Sequence, residues 1–551
     1  MSEPAPFIVN PADALKLRDI VSKLTNLGYS ERSITERLGL EDIVDLQWRH
    51  VPIYCSERLA VRDPLALAID LFLLQGALSE TEHQRLFVPC ERGLLVEAGL
   101  LAIDGGGMAR ARASLFPVGG HLLSSDQAWP ELPHPGYAEC PYNHVMAIGR
   151  DSRNLAHCTV RRRFQSALDL CTGSGIHALL ALRHAMRVTA VDINSRAAKC
   201  TRFNAQVSGI TNLEVAVGDL YEAVPGDNFD LITANPPFVP SPFDAVQFRD
   251  GGRSGEDIQK QIVAGLPRHL APGGIAQIVT ELGERNDELL AKRLREWLNG
   301  AAMDIHILRV GEHSASEYAV AHAKADTYPA LLQSIDEWAS NLRARGYVRI
   351  VSLIVSIQWS DANCGPPWEH MDVSPPPRRA AGAEIDAVFS AERATRRLDW
   401  QQVLKRSWLR RAGPTALFDA QVLGADIPPR AKATLLGRSL RIDHQLDPIE
   451  RQILDRIDGS VSIAVLDLIR FASEKNTDER TLLKAARSLL RRQLITAIDC
   501  DAHQPEISCE VSRAQTRVFH PTDAKPLPSR IRSDLPDPSG QEARSQNVHL
   551  T

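Results

Sequence analysis

Short apolar runs alternate with helical patterns through the middle of the chain. The apolar runs predict strands at 166–170, 188–193, 213–219, 229–234, 274–281 and 304–310. Apolar residues at helical spacing predict helices at 176–186, 195–208, 256–270 and 286–299. A closing strand is predicted at 348–359, after a helix that ends at Gly346. Strands that alternate with helices imply βαβ units with right-handed crossovers. We therefore predict an α/β fold with a Rossmann-like, doubly wound, mostly parallel sheet over 145–360.

The residues before this region, 1–127, are expected to form a mainly helical domain. Leu17, Ile20 and Leu24 recur at helical spacing, and Gly28 is placed to end their helix. Towards the end of the domain, the glycines 105–107 predict a turn between two short strands. Helices followed by such a hairpin are typical of a winged helix. A plain helical cap over the next domain fits the same pattern equally well.

Composition changes mark the other boundaries. Residues 128–144 and 361–397 are rich in proline and are predicted to be linkers, the second one flexible. A third unit, 398–499, is expected to be helical or winged-helix-like. In it Asp447, Pro448 and Glu450 form the pattern of a capped helix start. The polar, proline-containing residues 500–551 predict a disordered tail.

Bulk properties exclude several classes of protein. The 551 residues carry a formal net charge of -5, which predicts no strong overall attraction to nucleic acid but leaves room for a local basic patch. The 9 cysteines form no CxxC pair, so we expect neither a metal site nor a disulfide framework, and a reducing cytoplasm fits best. No run of eighteen apolar residues and no signal peptide is visible, so no membrane association is expected.

The most informative stretch runs from Ser166 to His177. An apolar strand ends at the acidic Asp169, a turn with Gly173 and Gly175 follows, and a helix begins. Glycines at this place let the backbone approach a ligand where a β-carbon would collide. The turn is not the phosphate-binding Gly-x-Gly-x-x-Gly pattern and has no evident basic partner for a pyrophosphate. An acid next to it suits a cationic cofactor.

Two later strands end in acids of the same kind. Asp192 lies at the tip of the second predicted strand, where a carboxylate can accept hydrogen bonds from both hydroxyls of a ribose. Asp219 ends the third strand and is placed to accept from an adenine amino group. This order of residues predicts a site for a nucleoside-bearing cation.

The fourth strand runs directly into Asn235, Pro236, Pro237 and Phe238. Adjacent prolines fix their φ angles, so the turn is stiff and its carbonyl groups point in set directions. The Asn235 side chain and the Pro236 carbonyl can together hold an amino group by its hydrogens, and Phe238 can stack on the planar group that carries it. Asn235, Pro236 and Phe238 are therefore the predicted catalytic residues.

With these motifs the chain resembles the class I S-adenosylmethionine-dependent methyltransferases. The resemblance implies S-adenosylmethionine as the cofactor and methyl transfer as the reaction, and it covers about 145–360. The expected cofactor contacts are Asp169, Cys171, Thr172, Gly173, Gly175, Asp192, Asp219 and Asn235. Cys171 departs from the family, which commonly has glycine there.

Asn-Pro-Pro-Phe resembles the motif of the amino-methyltransferases that act on adenine N6, guanine N2 and release-factor glutamine N5. Similarity to the glutamine enzymes continues through Arg249–Glu256 and Leu270–Ala276. The leading hypothesis is therefore N-methylation of a macromolecule, either an RNA or DNA base, which would have to be flipped out of a duplex, or a protein glutamine.

Two other hypotheses stay open from the sequence. One is a small-molecule N-methyltransferase of specialised metabolism. The other is an inactive cofactor-binding regulatory protein, for which Cys171 is the only support. Basic residues at 159–163 and in the third unit fit either nucleic-acid binding or a solvated or protein-docking surface.

Overall fold

The computed structural model describes residues 7, 11–127, 143–243, 246–286, 288–397, 399–420, 430–457, 462–474 and 477–499. Most of the predicted 128–144 linker and the whole predicted tail 500–551 lie outside these residues. In the described part, no helix combines the length and the apolar character that a membrane span needs.

The central region forms the predicted α/β fold. Its strands are β6 (Phe164–Leu170), β7 (Ala185–Asp192), β8 (Leu213–Val217), β9 (Phe229–Ala234), β10 (Leu270–Glu284), β11 (Met303–Ser314), β12 (Arg349–Trp359) and β13 (Glu369–Val373). Its helices are α7 (Arg150–Cys158), α8 (Ile176–Ala181), α9 (Ser195–Val207), α10 (Asp257–His269), α11 (Leu290–Trp297), α12 (Ala315–His322), α13 (Tyr328–Arg343) and α14 (Gly382–Arg396). The alternation predicted from the apolar pattern is confirmed, because each predicted strand and helix of this region is present.

These strands form one sheet in the order β13-β11-β12-β10-β9-β6-β7-β8. Pairing is parallel except for β12, which runs antiparallel to both β10 and β11. The chain winds from β6 outwards to β8 and then returns to the other side of β6 with β9. The strand order therefore reverses beside β6, and in open α/β sheets ligands bind at the carboxyl ends of the strands at such a point.

The N-terminal region packs on this sheet through helices α8 and α9. It comprises α1 (Pro11–Asn26), α2 (Glu31–Leu38), α3 (Val51–Ile53), α4 (Pro64–Phe72), β1 (Ala77–Leu78), α5 (Glu80–Leu86), α6 (Pro89–Glu97), β2 (Leu101–Ile103), β3 (Ala109–Ala111), β4 (Ser114–Val118) and β5 (His121–Ser125). Its apolar core is continuous with Leu179 and Phe203. The Asn204 side chain accepts from the backbone N–H of Ser124 and donates to the carbonyl oxygen of the same residue, both at 2.8 Å. It thus satisfies the two backbone groups that a neighbouring strand would otherwise pair with.

The segment 361–397 corrects the sequence analysis, which predicted a flexible linker. It contains the edge strand β13 and the helix α14. Ile385 and Phe389 of α14 are buried in the same core as Trp368, beneath the sheet. A β-carbon on Gly382 would overlap the carbonyl oxygen of Thr159, so this helix lies directly against the end of α7. The prolines at 375–377 lie in the connection between these two packed elements.

The last region follows α14. Its elements are α15 (Trp400–Lys405), β14 (Ser407–Arg411), β15 (Thr415–Ala420), β16 (Arg430–Leu435), β17 (Asp443–Leu446), α16 (Pro448–Arg456), β18 (Ile463–Ala464), α17 (Val465–Glu474), α18 (Glu479–Arg491) and β19 (Ile495–Asp499). The predicted helix start is confirmed: the Asp447 side chain accepts from the N–H of Glu450, and the Glu450 side chain accepts from the N–H of Asp447. That either flanking region is a winged helix stays a prediction.

Candidate functional site

Asp169 organises the turn after β6. One carboxylate oxygen accepts from the Thr233 hydroxyl of β9 at 2.8 Å. The other accepts from the Thr172 hydroxyl at 2.6 Å and from the N–H of Ala178 in α8 at 3.1 Å. Burial raises the pKa of Asp169 to about 7. The side chain, expected to face a cationic cofactor directly, instead joins two strands, the turn and the helix that follows.

The two glycines of the turn have different surroundings. A β-carbon on Gly173 would meet no atom within 4 Å, whereas one on Gly175 would lie 2.8 Å from Cγ2 of Thr201 and 2.9 Å from Cδ1 of Leu179. Both have positive φ angles, 56° and 85°. Gly173 therefore borders open space that a ligand can fill, and Gly175 lets α8 pack closely on α9.

Cys171 has a left-handed backbone with a φ of 56°. Residues with a side chain rarely adopt this backbone conformation, which explains why glycine is expected at this place. Burial raises the pKa of the Cys171 thiol, and the charges of Asp192, Asp169 and Asp219 raise it further. The thiol is thus held neutral among three acids that are far apart in sequence, and the structure brings all three predicted strand-end acids to one place.

Asp192 fixes the turn from the neighbouring strand. Its carboxylate accepts from the N–H of Gly173 at 2.8 Å and from the N–H of Asn194 at 2.9 Å. Burial raises its pKa. Asp219 follows β8 and is exposed. Asp192 therefore borders the turn that contains Gly173, and Asp219 follows the next strand of the same sheet.

Asn235 follows β9 directly, on the other side of β6. Its side-chain nitrogen donates to the carboxylate of Asp151 at 3.1 Å and to the hydroxyl of Ser152 at 3.0 Å. With both amide hydrogens engaged, the amide oxygen is left facing away from these partners. Among the described residues, none donates to that oxygen or to the carbonyl oxygen of Pro236. The two acceptors that the sequence analysis predicted are therefore both available.

Asp151 and Ser152 were missed by sequence reasoning. They lie in the first turn of α7, which precedes β6, and Asp151 is 84 residues from Asn235. No pattern of spacing links them to the proline motif. Burial raises the pKa of Asp151, and hydrogen bonds such as the one from Asn235 lower it.

A second half-buried acid, Glu281, lies near Asp151. Glu281 of β10 accepts from the hydroxyl groups of Tyr318, at 2.7 Å, and Ser352, at 3.0 Å. Burial raises the pKa of Glu281, and the charge of Asp151 raises it further, so the two carboxylates are close enough to interact.

The residues after the proline motif fold back on it. A β-carbon on Gly251 would lie 2.8 Å from the carbonyl oxygen of Pro237, which shows how closely this loop covers the motif. Asn341 of α13 donates to the carbonyl oxygens of Pro240 and Arg253, at 3.0 and 3.1 Å. Phe238, predicted to stack on the substrate, is half-buried against the cluster formed by α12 and α13.

The basic residues considered for nucleic-acid binding mostly have partners within the chain. Arg162 pairs with Asp386 at 2.7 Å. In the last region Lys405 pairs with Glu479, and Arg492 pairs with Glu450 at 3.1 Å. In the described part of the chain, no group of three or more His, Cys, Asp or Glu side chains is arranged to hold a metal ion.

Comparison with known protein sequences gives matches to methyltransferases. The methyltransferase small domain family matches residues 147–302. A putative protein N5-glutamine methyltransferase of Methanocaldococcus jannaschii is 33% identical over 142 residues, which are 24% of this chain and 71% of that protein. The release factor glutamine methyltransferase of Rhodospirillum rubrum is 37% identical over 134 residues, 22% of this chain and 41% of that protein.

The ribosomal protein uL3 glutamine methyltransferase of Bordetella pertussis is 33% identical over 140 residues, covering 23% of this chain and 46% of that protein. The chain thus spans about half the length of most of these relatives. Among solved structures, a ribosomal protein L11 methylase of Lactobacillus delbrueckii is 18% identical with a TM-score of 0.23, covering 38% of this chain and 77% of that one.

Proposed function

Since the chain belongs to the methyltransferase small domain family, we propose that it transfers the methyl group of S-adenosylmethionine to the side-chain amide nitrogen of a glutamine in a protein. The observation that carries the proposal is the orientation of the Asn235 amide. Its nitrogen is held by Asp151 and Ser152, so its oxygen remains as an acceptor one residue before the Pro236 carbonyl.

The turn after β6 fits the cofactor that the family uses. The space in front of Gly173 has no atom where a β-carbon would be, and Asp192 already orients the turn through the Gly173 N–H. Asp192 and Asp219 would bind the ribose and adenine, and the surrounding carboxylates favour a positively charged ligand. When bound, S-adenosylmethionine supplies an electrophilic methyl group on a sulfonium.

The chain's own contribution to the reaction is positioning. The Asn235 amide oxygen and the Pro236 carbonyl oxygen would accept the two hydrogens of the substrate NH2 group and so fix the direction of its nitrogen. Holding a reactant in this way removes orientational freedom that would otherwise raise the barrier. Both acceptors are rigid, because prolines fix the backbone and Asp151 holds the side chain, so little reorganisation accompanies the reaction.

A protein glutamine is favoured over a nucleic-acid base by two observations. The named relatives are glutamine methyltransferases. Several of the basic residues that would contact phosphates, Arg162, Lys405 and Arg492, instead pair with the carboxylates of Asp386, Glu479 and Glu450. Nucleic-acid binding depends on free cationic groups along a surface.

The experiment that tests the proposal is transfer of tritiated methyl groups from S-adenosylmethionine. Label is expected in the protein fraction of a cell extract, on the side-chain nitrogen of glutamine, and not in RNA, DNA or small molecules. Asn235→Ala should lower transfer about a hundredfold or more while nearly keeping cofactor affinity, since most of the expected cofactor contacts lie elsewhere, at the Gly173 turn, Asp192 and Asp219. Asn228→Ala, at an exposed asparagine before β9, is the matched control and should keep full activity.

Other outcomes identify the alternatives. Label in RNA or DNA would indicate a base methyltransferase, and label in metabolites would indicate a small-molecule enzyme. Tight cofactor binding without transfer to any fraction would indicate a regulatory protein. Loss of cofactor binding in Asn235→Ala would contradict the role given to this residue.

A further inference from the structure

The region after the central sheet contains an apolar cavity remote in sequence from the residues of the candidate site. Its volume is about 330 Å³. The walls come from α14, α15, α18 and β19, and small side chains such as Ala387 and Ala391 leave the room. This size and apolar character are typical of sites that enclose a small molecule.

Two guanidinium groups line this cavity without an anionic partner. Arg487 of α18 lies over the ring of Trp400, 4.5 Å from its centre, and its buried Nε has no hydrogen-bond partner. Arg438 also lines the cavity, and among the described residues neither arginine forms an ion pair. Both arginines are half-buried, and the buried Nε of Arg487 is a donor that a bound acceptor could satisfy.

In the described part of the chain, no ion pair within 4 Å neutralises either arginine. Among the described residues that line the cavity, none is acidic. The buried Glu392 lies outside this lining and its charge acts on Arg487. One of its oxygens accepts from Arg491 at 2.6 Å, and the other has no hydrogen-bond partner among the described residues. The cavity therefore combines an apolar body with unneutralised positive charge, which fits an amphipathic anion.

We propose that this cavity binds a small carboxylate with an aromatic or aliphatic body, with its carboxylate on Arg487 and Arg438 and its apolar part among the alanines of α14. Guanidinium groups bind carboxylates through paired, charge-assisted hydrogen bonds. Trp400, whose ring lies under Arg487, also lines the cavity and adds apolar contact area for such a ligand. The site is independent of the proposed methyl transfer and does not require it.

The test is isothermal titration calorimetry of the full chain with matched probes. The charged probes are phenylpropionate and decanoate, and their uncharged twins are phenylpropanol and decanol. We expect at least one acid to bind, with its alcohol weaker by about tenfold or more, because the alcohol lacks the charge-assisted contact. Binding of only one acid identifies the aromatic or the aliphatic class.

Variants locate the binding. Arg487→Met and Arg438→Met should each weaken the acid about tenfold, whereas Arg480→Met, at an exposed position of the same helix α18, should not. Ala391→Leu should fill the cavity and abolish binding, whereas Ala383→Leu, at an exposed position of α14, should keep it. Circular dichroism and thermal melting of each variant show whether it is folded.

Three results would overturn the proposal. The first is that none of the four probes binds at millimolar concentration. The second is that acids and alcohols bind equally, since the arginines would then contribute nothing. The third is that folded Ala391→Leu binds as tightly as the native chain, which would place the ligand elsewhere.

Discussion

The side-chain nitrogen of Asn235 lies 3.1 Å from the carboxylate of Asp151, and this contact decides which end of the amide is available. An amide can rotate by half a turn and exchange its donor and acceptor ends at little steric cost. A carboxylate accepts hydrogen bonds and repels the amide oxygen. Asp151 therefore fixes the acceptor orientation that a substrate NH2 group requires.

Asp151→Ala is expected to lower kcat about tenfold or more, since the amide can then rotate and present its donor end. Affinity for the cofactor should change little. Asp151→Asn keeps an acceptor for the Asn235 nitrogen and should recover part of the activity. Steady-state kinetics with a glutamine-containing protein substrate would measure this. Equal losses in the alanine and asparagine variants would contradict a positioning role.

A second prediction concerns the strain at Cys171. At most positions, alanine gives a more stable protein than glycine by about 0.5–1 kcal/mol, because glycine loses more freedom on folding. At a φ of 56° the order should reverse: Cys171→Gly should be more stable than Cys171→Ala by about 1 kcal/mol, the cost of a left-handed backbone for a residue with a side chain.

Urea unfolding of the two variants measures this difference. The same pair at Cys90, an exposed residue in the first turn of α6, should show the ordinary order, with alanine the more stable. If alanine is the more stable residue at both positions, Cys171 is not strained.

The residues of the cofactor turn could be predicted from sequence because each signal is local. A strand that ends in an acid, or a turn that needs glycine, is determined by neighbours within a few residues, as at Asp169 and Gly175. The order of strand-end acids then follows from the parallel sheet, whose carboxyl ends share one edge. The same holds for Asn235, which follows its strand directly.

The rest depended on contacts between distant parts of the chain. Asp151 reaches Asn235 only because α7 packs across the sheet, which no local pattern reveals. The segment 361–397 was predicted wrongly because its prolines suggested a linker. Its apolar residues Ile385 and Phe389 are few, yet α14 needs only one narrow face to pack on the sheet.

A third prediction separates the roles of the two glycines. Gly173→Ala should lower the free energy of unfolding by about 1 kcal/mol, because of its left-handed backbone alone. The same variant should strongly weaken the binding of S-adenosylhomocysteine, because the new methyl group enters the open space in front of the turn. Gly175→Ala should cost about 1–3 kcal/mol more, because its β-carbon would collide with Thr201 and Leu179.

Gly226→Ala is the control for backbone strain. Gly226 has a φ of 80° and open space around it, and it lies in the loop between β8 and β9. Urea unfolding and calorimetric titration of the three variants would measure stability and affinity separately. If Gly173→Ala binds the cofactor product as tightly as Gly226→Ala does, the space in front of Gly173 is not the binding site.

The last prediction follows from the raised pKa of Asp169. Between the ordinary value of 3.8 and the folded value of about 7, the folded chain keeps the proton and the unfolded chain has lost it. The unfolded state then binds fewer protons, so the contribution of Asp169 to the free energy of unfolding falls as the pH rises through this window. This contribution of Asp169 is fully present below pH 3.8 and is lost above a pH of about 7.

Comparing variants isolates this contribution from those of other titrating groups. Asp169→Asn removes the titration, so its free energy of unfolding should fall less steeply than that of the native chain over the same pH window. Thr172→Val removes a hydrogen bond that favours the charged carboxylate, so the decline should extend to higher pH, whereas Thr172→Ser keeps the hydroxyl and the native profile. Urea unfolding at a series of pH values measures all four chains. Parallel profiles for the native chain and Asp169→Asn would contradict the raised pKa, since Asp169 would then be charged in the folded state at low pH. In that case the hydrogen bonds from Thr172, Thr233 and Ala178 would outweigh the cost of burying the charge.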